Sequence, residues 1–263
     1  MTSLFPYSEV NEILPYLMGV LGLLMTWKLH DLEVRTGRIH GLDISDPSAI
    51  RSWVHNSSGV SMYIHATPDD NSACEPCRKA NHTVFSSAHV GRNKKFNGSA
   101  SPCINPAGCR CVRVGLEGRW PAAEIISAWL RENNDATALL TAEEMADLLK
   151  ADAGQSANDR LGLYLLEALR AEGTDPQFAI SRYRHLIIRG KHDAGHPFLM
   201  PAYLRLSDLL ERGGRTTDAL DIIDDFCTHV RYRKGQYAPT AAESSLLARR
   251  KSRLQRGLRK NWQ

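Results

Sequence analysis

No lysine or arginine precedes Lys28 in this 263-residue chain, and only one acidic residue, Glu243, follows position 227. The first absence removes the basic start of a secretory signal. No small-x-small cleavage site follows the apolar core either, so the N-terminal segment does not read as a cleaved leader. There is no glycine-rich phosphate loop, no nucleophile elbow, no metalloprotease helix and no dinucleotide fingerprint. His65 is followed by Ala66 and Thr67, so the upstream His-x-Glu proton shuttle of a zinc nucleobase deaminase is missing. Arg78 stands where a haem-attachment motif needs histidine, and the strand–helix–strand context of a thioredoxin-like pair is not visible. These absences leave a protein read as tethering and holding.

One long apolar run stands out, residues 13–27 (ILPYLMGVLGLLMTW), fifteen residues without a charge. It reaches about twenty, the length a bilayer core of roughly 30 Å asks for, only if Ser8, Glu9, Asn11 and Glu12 sit among the headgroups. Tyr7, Tyr16 and Trp27 fall where interfacial aromatics would, and Lys28, Arg35 and Arg38 follow the run. The positive-inside rule then predicts a single-pass anchor in the inner (cytoplasmic) membrane with the bulk of the chain in the cytoplasm. The competing reading is a buried or interfacial helix.

Composition divides the remainder. Residues 1–120 are nearly balanced at net +2, residues 121–227 carry −7, and residues 228–263 carry +9. The expected organisation is an anchor (1–30), a connector with one short helix (31–58), a cysteine-rich module with short strands (59–120), a helical repeat-like domain (121–235) and a basic C-terminal helix (236–263). The fold class is therefore mainly α. In the connector, Asp46 as N-cap, Pro47 at the first position and the stripe Ile50, Trp53, Val54 predict the helix. Alternation in residues 60–65 (VSMYIH) predicts a strand.

Five of the six cysteines lie between positions 74 and 111. Cys74-x2-Cys77 and Cys103-x5-Cys109-x-Cys111 offer five thiols for the four corners of a tetrahedral site. The best assignment is a structural zinc on Cys74, Cys77, Cys109 and Cys111, with Cys103 or His82 as alternates and His89 a further candidate. Disulfides are the expectation for an exported domain, but the flank charges point to a reducing compartment, where thiols bind metal. Arg92, Lys94 and Lys95 would offset the thiolate charge, and Val84-Phe85 and Val112-Arg113-Val114 are expected to pair as a small ribbon. A module of that size needs a metal to hold its shape. A catalytic site using the same cysteines with His65, His82 or His89 is the alternative.

The run Cys74-x2-Cys77, Val84-Phe85 and Asn105-Pro106-x-x-Cys109-Arg110-Cys111 resembles the cysteine-containing end of the minor head (head-morphogenesis) proteins of tailed phages. In that family the pattern closes a helical domain; here it sits in mid-chain. The resemblance implies a cysteine-clipped fold and carries a third reading, a phage head-assembly protein.

From Pro121 the apolar period becomes helical. Pro121 opens a helix through Ile125, Ile126, Trp129 and Leu130. Thr141-x-x-Glu144 is a capping box. Asn158 or Asp159 is expected to cap the next helix, Asp175-Pro176 opens another, and Pro197 or Pro201 precedes Tyr203, Leu206, Leu209 and Leu210. Gly213-Gly214 breaks the chain and Thr216 caps a last pair member. Each helix is apolar on one stripe, the logic of stacked helix pairs. Residues 200–230 resemble a tetratricopeptide repeat, through Tyr203, Leu206, Ser207, Leu210, Ala219 and Ile223, although Arg231 replaces the closing proline. The resemblance implies a concave scaffold for a protein partner, with Tyr203, Leu206 and Leu210 as candidate contacts. His192 and His196 read as a solvated loop rather than a metal pair, and Cys227 as a small buried hydrophobe. Arg249, Arg250, Lys251, Arg253 and Arg256 crowd one predicted helix and are expected either to cap the array or to meet an anionic surface, lipid or, less favoured, nucleic acid.

Overall fold

The computed structural model describes residues 38–39, 42–43, 59–69, 73–87, 111–134, 137–150, 153–192, 196–233, 238–239 and 241–260. Among them the chain is mainly helical with a small antiparallel sheet. Arg38–Ile39 (β1) and Leu42–Asp43 (β2) pair as a short hairpin. The predicted anchor at 13–27 and the helix around Pro47 lie outside the described residues. Among the described residues no helix is long and apolar enough to cross a membrane.

Met62–Ala66 (β3) is the centre of a four-stranded sheet. It pairs on one side with Thr83–Ser86 (β4) and on the other with Val112–Leu116 (β5). Ala138–Leu139 (β6) completes the order β5-β3-β4-β6. The ribbon expected from Val84-Phe85 and Val112-Arg113-Val114 is therefore split. Those segments never pair with each other, because β3 lies between them.

Alternation then sorts the side chains. Met62, Ile64, Ala66, Val84, Val112, Val114 and Leu116 belong to one large buried cluster that runs on without a break into the helices. Tyr63 and Phe85 face the other way, their rings stacked 6.1 Å apart beside Val60. The sheet thus shares its core with the helical half, so its apolar face does not depend on a metal for burial.

Helix Glu75–Lys79 (α1) joins β3 to β4. Pro121–Glu132 (α2) begins at Pro121 as expected, but it buries Ala123 and Leu130 and leaves Ile125 and Trp129 exposed. Ala142–Leu148 (α3) carries the capping box intact: Glu144 N–H donates to Thr141 Oγ1 at 3.2 Å, and Thr141 N–H donates to Glu144 Oε2 at 2.7 Å. The N-cap of Ala157–Ala171 (α4) is Ser156, not Asn158 or Asp159. Asp159 sits one turn in, buried, and accepts from Glu117 N–H at 2.7 Å. Gly162 lets α4 close on the sheet: a Cβ there would stand 2.8 Å from Leu116 Cδ2 and 3.2 Å from Val114 Cγ1.

Pro176–His192 (α5), Leu199–Arg212 (α6), Thr216–His229 (α7) and Ala241–Lys260 (α8) follow. Asp175 caps α5 by accepting from Phe178 N–H at 3.0 Å. Gly214, at φ +72°, takes the left-handed turn that ends α6. Arg215 rather than Thr216 occupies the N-cap of α7, with Asp218 in the first turn paired to it. Contacts run in chain order, α4 on α5, α5 on α6, α6 on α7 and α7 on α8, with α8 also reaching α6.

Candidate functional site

Three groups of predicted residues meet the structure differently. The cysteine cluster forms at the end of β3. Cys74 is the N-cap of α1 and Cys77 lies three residues on, so the pair opens one helical turn instead of a knuckle. Thr67 bridges it to the start of β5: its hydroxyl donates to Cys77 O at 3.1 Å and lies 3.3 Å from Cys111 Sγ. Thr67 N–H in turn donates to Asn81 Oδ1 at 2.9 Å. Cys77 and Cys111 are buried and Cys74 is half-buried.

The Thr67 hydroxyl thus lies between the Cys77 backbone carbonyl and the Cys111 sulfur. Among the described residues, however, no three His, Cys, Asp or Glu side chains converge as a metal cage. Cys103 and Cys109 lie outside the described residues, as does His89. His82 serves the backbone: at φ +66° it turns the chain into β4, its N–H donates to His65 O at 2.8 Å, and its own carbonyl accepts from Leu140 N–H at 3.2 Å. Burial and the nearby Arg170 hold its imidazole below the ordinary range, against the pull of Asp69. His65 lies in β3 directly opposite Arg113. Both are buried on the aromatic side of the sheet, where the Arg113 guanidinium stands 5.6 Å from the Phe85 ring centre. Burial pushes the Tyr63 hydroxyl far above its usual range, against the opposing charge of Arg113.

The predicted partner contacts are corrected by the packing. Tyr203, Leu206 and Leu210 are fully buried between helices and cannot meet another molecule. Tyr203 packs edge-on against Phe226, ring centres 5.6 Å apart, and donates its hydroxyl to Asp225 Oδ2 at 2.6 Å. The reason is general: residues recurring on the apolar stripe of a helix hold the pair together, so they are spent before a partner arrives. Pro201 sits inside the first turn of α6, with Pro197 in the turn ahead of it. His196 is no solvated loop residue. It is buried, its Nδ1 accepting from Phe198 N–H at 3.1 Å and its Nε2 facing Leu186 O at 2.8 Å, which fixes a neutral ring.

The basic residues divide. Arg250 donates to Leu204 O, to Ser207 Oγ at 2.6 Å and to Asp208 Oδ1 at 3.0 Å. Lys251 reaches Asp224 at 2.5 Å, and Arg253 Nη2 lies 2.7 Å from both carboxylate oxygens of Glu211. Three of the five candidate anion-surface residues are thus engaged with the acidic body, while Arg249 and Arg256 stay exposed.

Sequence reasoning missed two polar constructions. Glu172, at the end of α4, receives Tyr183 Oη at 2.6 Å, Arg205 Nε at 2.9 Å and Arg212 Nη2 at 2.9 Å, with Arg205 Nη2 on its second oxygen. The second lies at the surface of α4 and α5. The Arg182 guanidinium stands 4.5 Å from the Tyr164 ring centre and 4.9 Å from that of Phe178, and it is ion-paired to Glu167 at 2.9 Å. His185 meets Tyr164 edge-on at 5.2 Å, and Phe178 and Ile188 are exposed beside it. The only sequence signal was a pair of large apolar residues off the buried stripe. No family model, no curated protein and no solved structure matches the chain.

Proposed function

We propose that this chain is an adaptor that holds a protein partner on its helix stack and transforms no substrate. The observation behind the reading is the serial packing of α4 to α8, each helix resting on the next, as in repeat scaffolds whose work is binding. With Tyr203, Leu206 and Leu210 buried, the docking surface moves to Tyr164, Phe178, Arg182, His185 and Ile188. Interface hot spots favour aromatic rings and arginine. Arg182, lying near two rings and an acid, loses little freedom on binding. A zinc on Cys74, Cys77, Cys109 and Cys111 would clip α1 to the approach of β5, and the apolar segment 13–27 would anchor the scaffold to a membrane with its bulk in the cytoplasm.

The test is site-specific photocrosslinking in cells, with a photoreactive phenylalanine at Phe178, at Ile188 and, as a control, at Asp221 on α7. The adaptor reading expects one discrete heteromeric adduct from the first two positions, abolished by Arg182→Ala, and none from the control. Equal labelling at all three positions, or none at any, would overturn it.

A further inference from the structure

The two sides of α8 have different fates. On one side Leu247, Leu254 and Glu243 are buried, and Arg250 is bound to α6. The opposite side carries Arg249, Arg253 and Arg256, at i, i+4 and i+7, so their Cα atoms rise along one side in steps of about 4.5–6 Å. A cleft of about 710 Å³ follows this side; its described lining comes from α8 alone, with Ser245, Leu246, Ala248 and Ser252 between the arginines and Arg250 at its edge. Among the described residues Arg249 makes no ion pair, and the side-chain bond of Arg256 goes to Ser252 O at 3.3 Å, within its own helix.

We infer that this stripe is a docking site for an acidic protein segment that lays its carboxylates along the cleft. Three observations select that occupant. The stripe is built of arginine, whose planar fork suits oriented oxyanions better than a diffuse field of lysines would. Leu247 and Leu254 are committed to the core, which leaves Leu246 as the one leucine on the stripe, too little apolar area to insert into a bilayer, and among the described residues no aromatic ring lines the cleft for a nucleic-acid base to stack on. Arg253 already grips both oxygens of the Glu211 carboxylate, so the stripe takes a helix-borne carboxylate where one is presented. The site stands apart from the surface on α4 and α5 and does not depend on it.

The experiment uses the full chain and a fluorescein-labelled 14-residue helical peptide with glutamate at every third or fourth position, read by fluorescence anisotropy. The glutamine version of the peptide, a 20-nucleotide single-stranded DNA, and phosphatidylglycerol against phosphatidylcholine vesicles are the comparison probes. The glutamate peptide is expected to bind and its glutamine version not. The double variant Arg249→Ser/Arg256→Ser, both positions exposed, should keep the wild-type melting temperature and weaken binding about tenfold, the scale of two surface ion pairs. Unchanged binding by the double variant would overturn the site. DNA or anionic vesicles binding more tightly than the peptide, and losing that binding in the same variant, would overturn the occupant. Photocrosslinking at Phe178 reads the adaptor proposal separately from either result.

Discussion

Replacing Glu172 by glutamine should be among the most damaging conservative changes available to this fold. The carboxylate side chain is fully buried, and the Arg205 side chain opposite is only 6% exposed. Tyr183 comes from α5 and Arg205 and Arg212 come from α6, so one acid at the end of α4 fastens three helices. Burial and the Glu172 charge push the Tyr183 hydroxyl far above its usual range, which keeps it a donor. Glutamine preserves volume but turns one accepting oxygen into a donor facing other donors, and it leaves the guanidinium without its main counter-charge. Removing one partner of a buried pair costs about 3–5 kcal/mol. Asp208, 3.2 Å from Arg205 Nη1, retains part of the compensation and places the expectation near 3 kcal/mol. For a chain of this size that is a fall in melting temperature of about 6–12 °C by circular dichroism. Tyr183→Phe should lose about 1.5–3 kcal/mol, one hydrogen bond to a charged group. The pair Glu172→Gln/Arg205→Met should recover much of the loss, because the stranded charge is then gone. A Glu172→Gln melting temperature within 1 °C of wild type, or a double variant as unstable as the sum of the singles, would refute the reasoning.

Asp159 predicts a pH effect of opposite sign to the usual carboxylate. Burial raises its pKa first and the Glu117 charge adds to that, against the hydrogen bond from Glu117 N–H, so the folded state holds its proton more tightly than the unfolded chain. Stability is then lost as pH rises from the ordinary carboxylate range, about 3.9, through the raised folded value. Asp159→Asn should raise the melting temperature at neutral pH and leave it unchanged near the acid limit of folding; an equal gain at both would sink the argument. Gly162→Ala should be close to neutral, a gain of about 1 kcal/mol in helix propensity offsetting the shift of Leu116. Gly162→Val should cost about 1–3 kcal/mol by crowding Val114 and Phe198 as well, and a valine variant as stable as wild type would show that α4 and β5 can move apart. If zinc is held by the cysteine cluster, plasma mass spectrometry should find it in the purified chain, and Cys77→Ser or Cys111→Ser should lose it. A chelator should then lower the melting temperature of wild type and leave the variants where they are.

Elements written in local chemistry were legible from the chain alone. Pro121, the Thr141–Glu144 box, Asp175-Pro176 and the Gly213-Gly214 break each act within a few residues, and each stands where it was expected. Features that depend on distant partners were not. The central place of β3 is decided by competition between segments more than forty residues apart in sequence. The Glu172–Arg205 pair joins positions 33 apart, and nothing in either neighbourhood announces it. Tyr203, Leu206 and Leu210, expected to meet a partner, are buried between helices, since an apolar stripe states that a face is covered without saying by what. The same limit applies to Cys77 and Cys111. Their spacing proposed a shared metal, whereas the contact on view is a Thr67 hydroxyl between the Cys77 backbone carbonyl and Cys111 Sγ.

The charge asymmetry between body and tail follows from the way α8 is seated. Burying Leu247 and Leu254 supplies about 1.5–3 kcal/mol each, whereas a partly exposed pair such as Arg253–Glu211 supplies at most about 1 kcal/mol. The apolar side therefore holds the helix down, and the charges have a different task. Arg250 against Asp208, Lys251 against Asp224 and Arg253 against Glu211 match α8 to two different helices at once. A shift of one turn along the groove would bring Leu residues to new apolar ground at little cost but would break all three pairings. Strength comes from leucine and register from charge, as expected where attraction is cheap and alignment must be unique. High salt should then blur the register of α8 without releasing it, because the buried leucines are indifferent to screening.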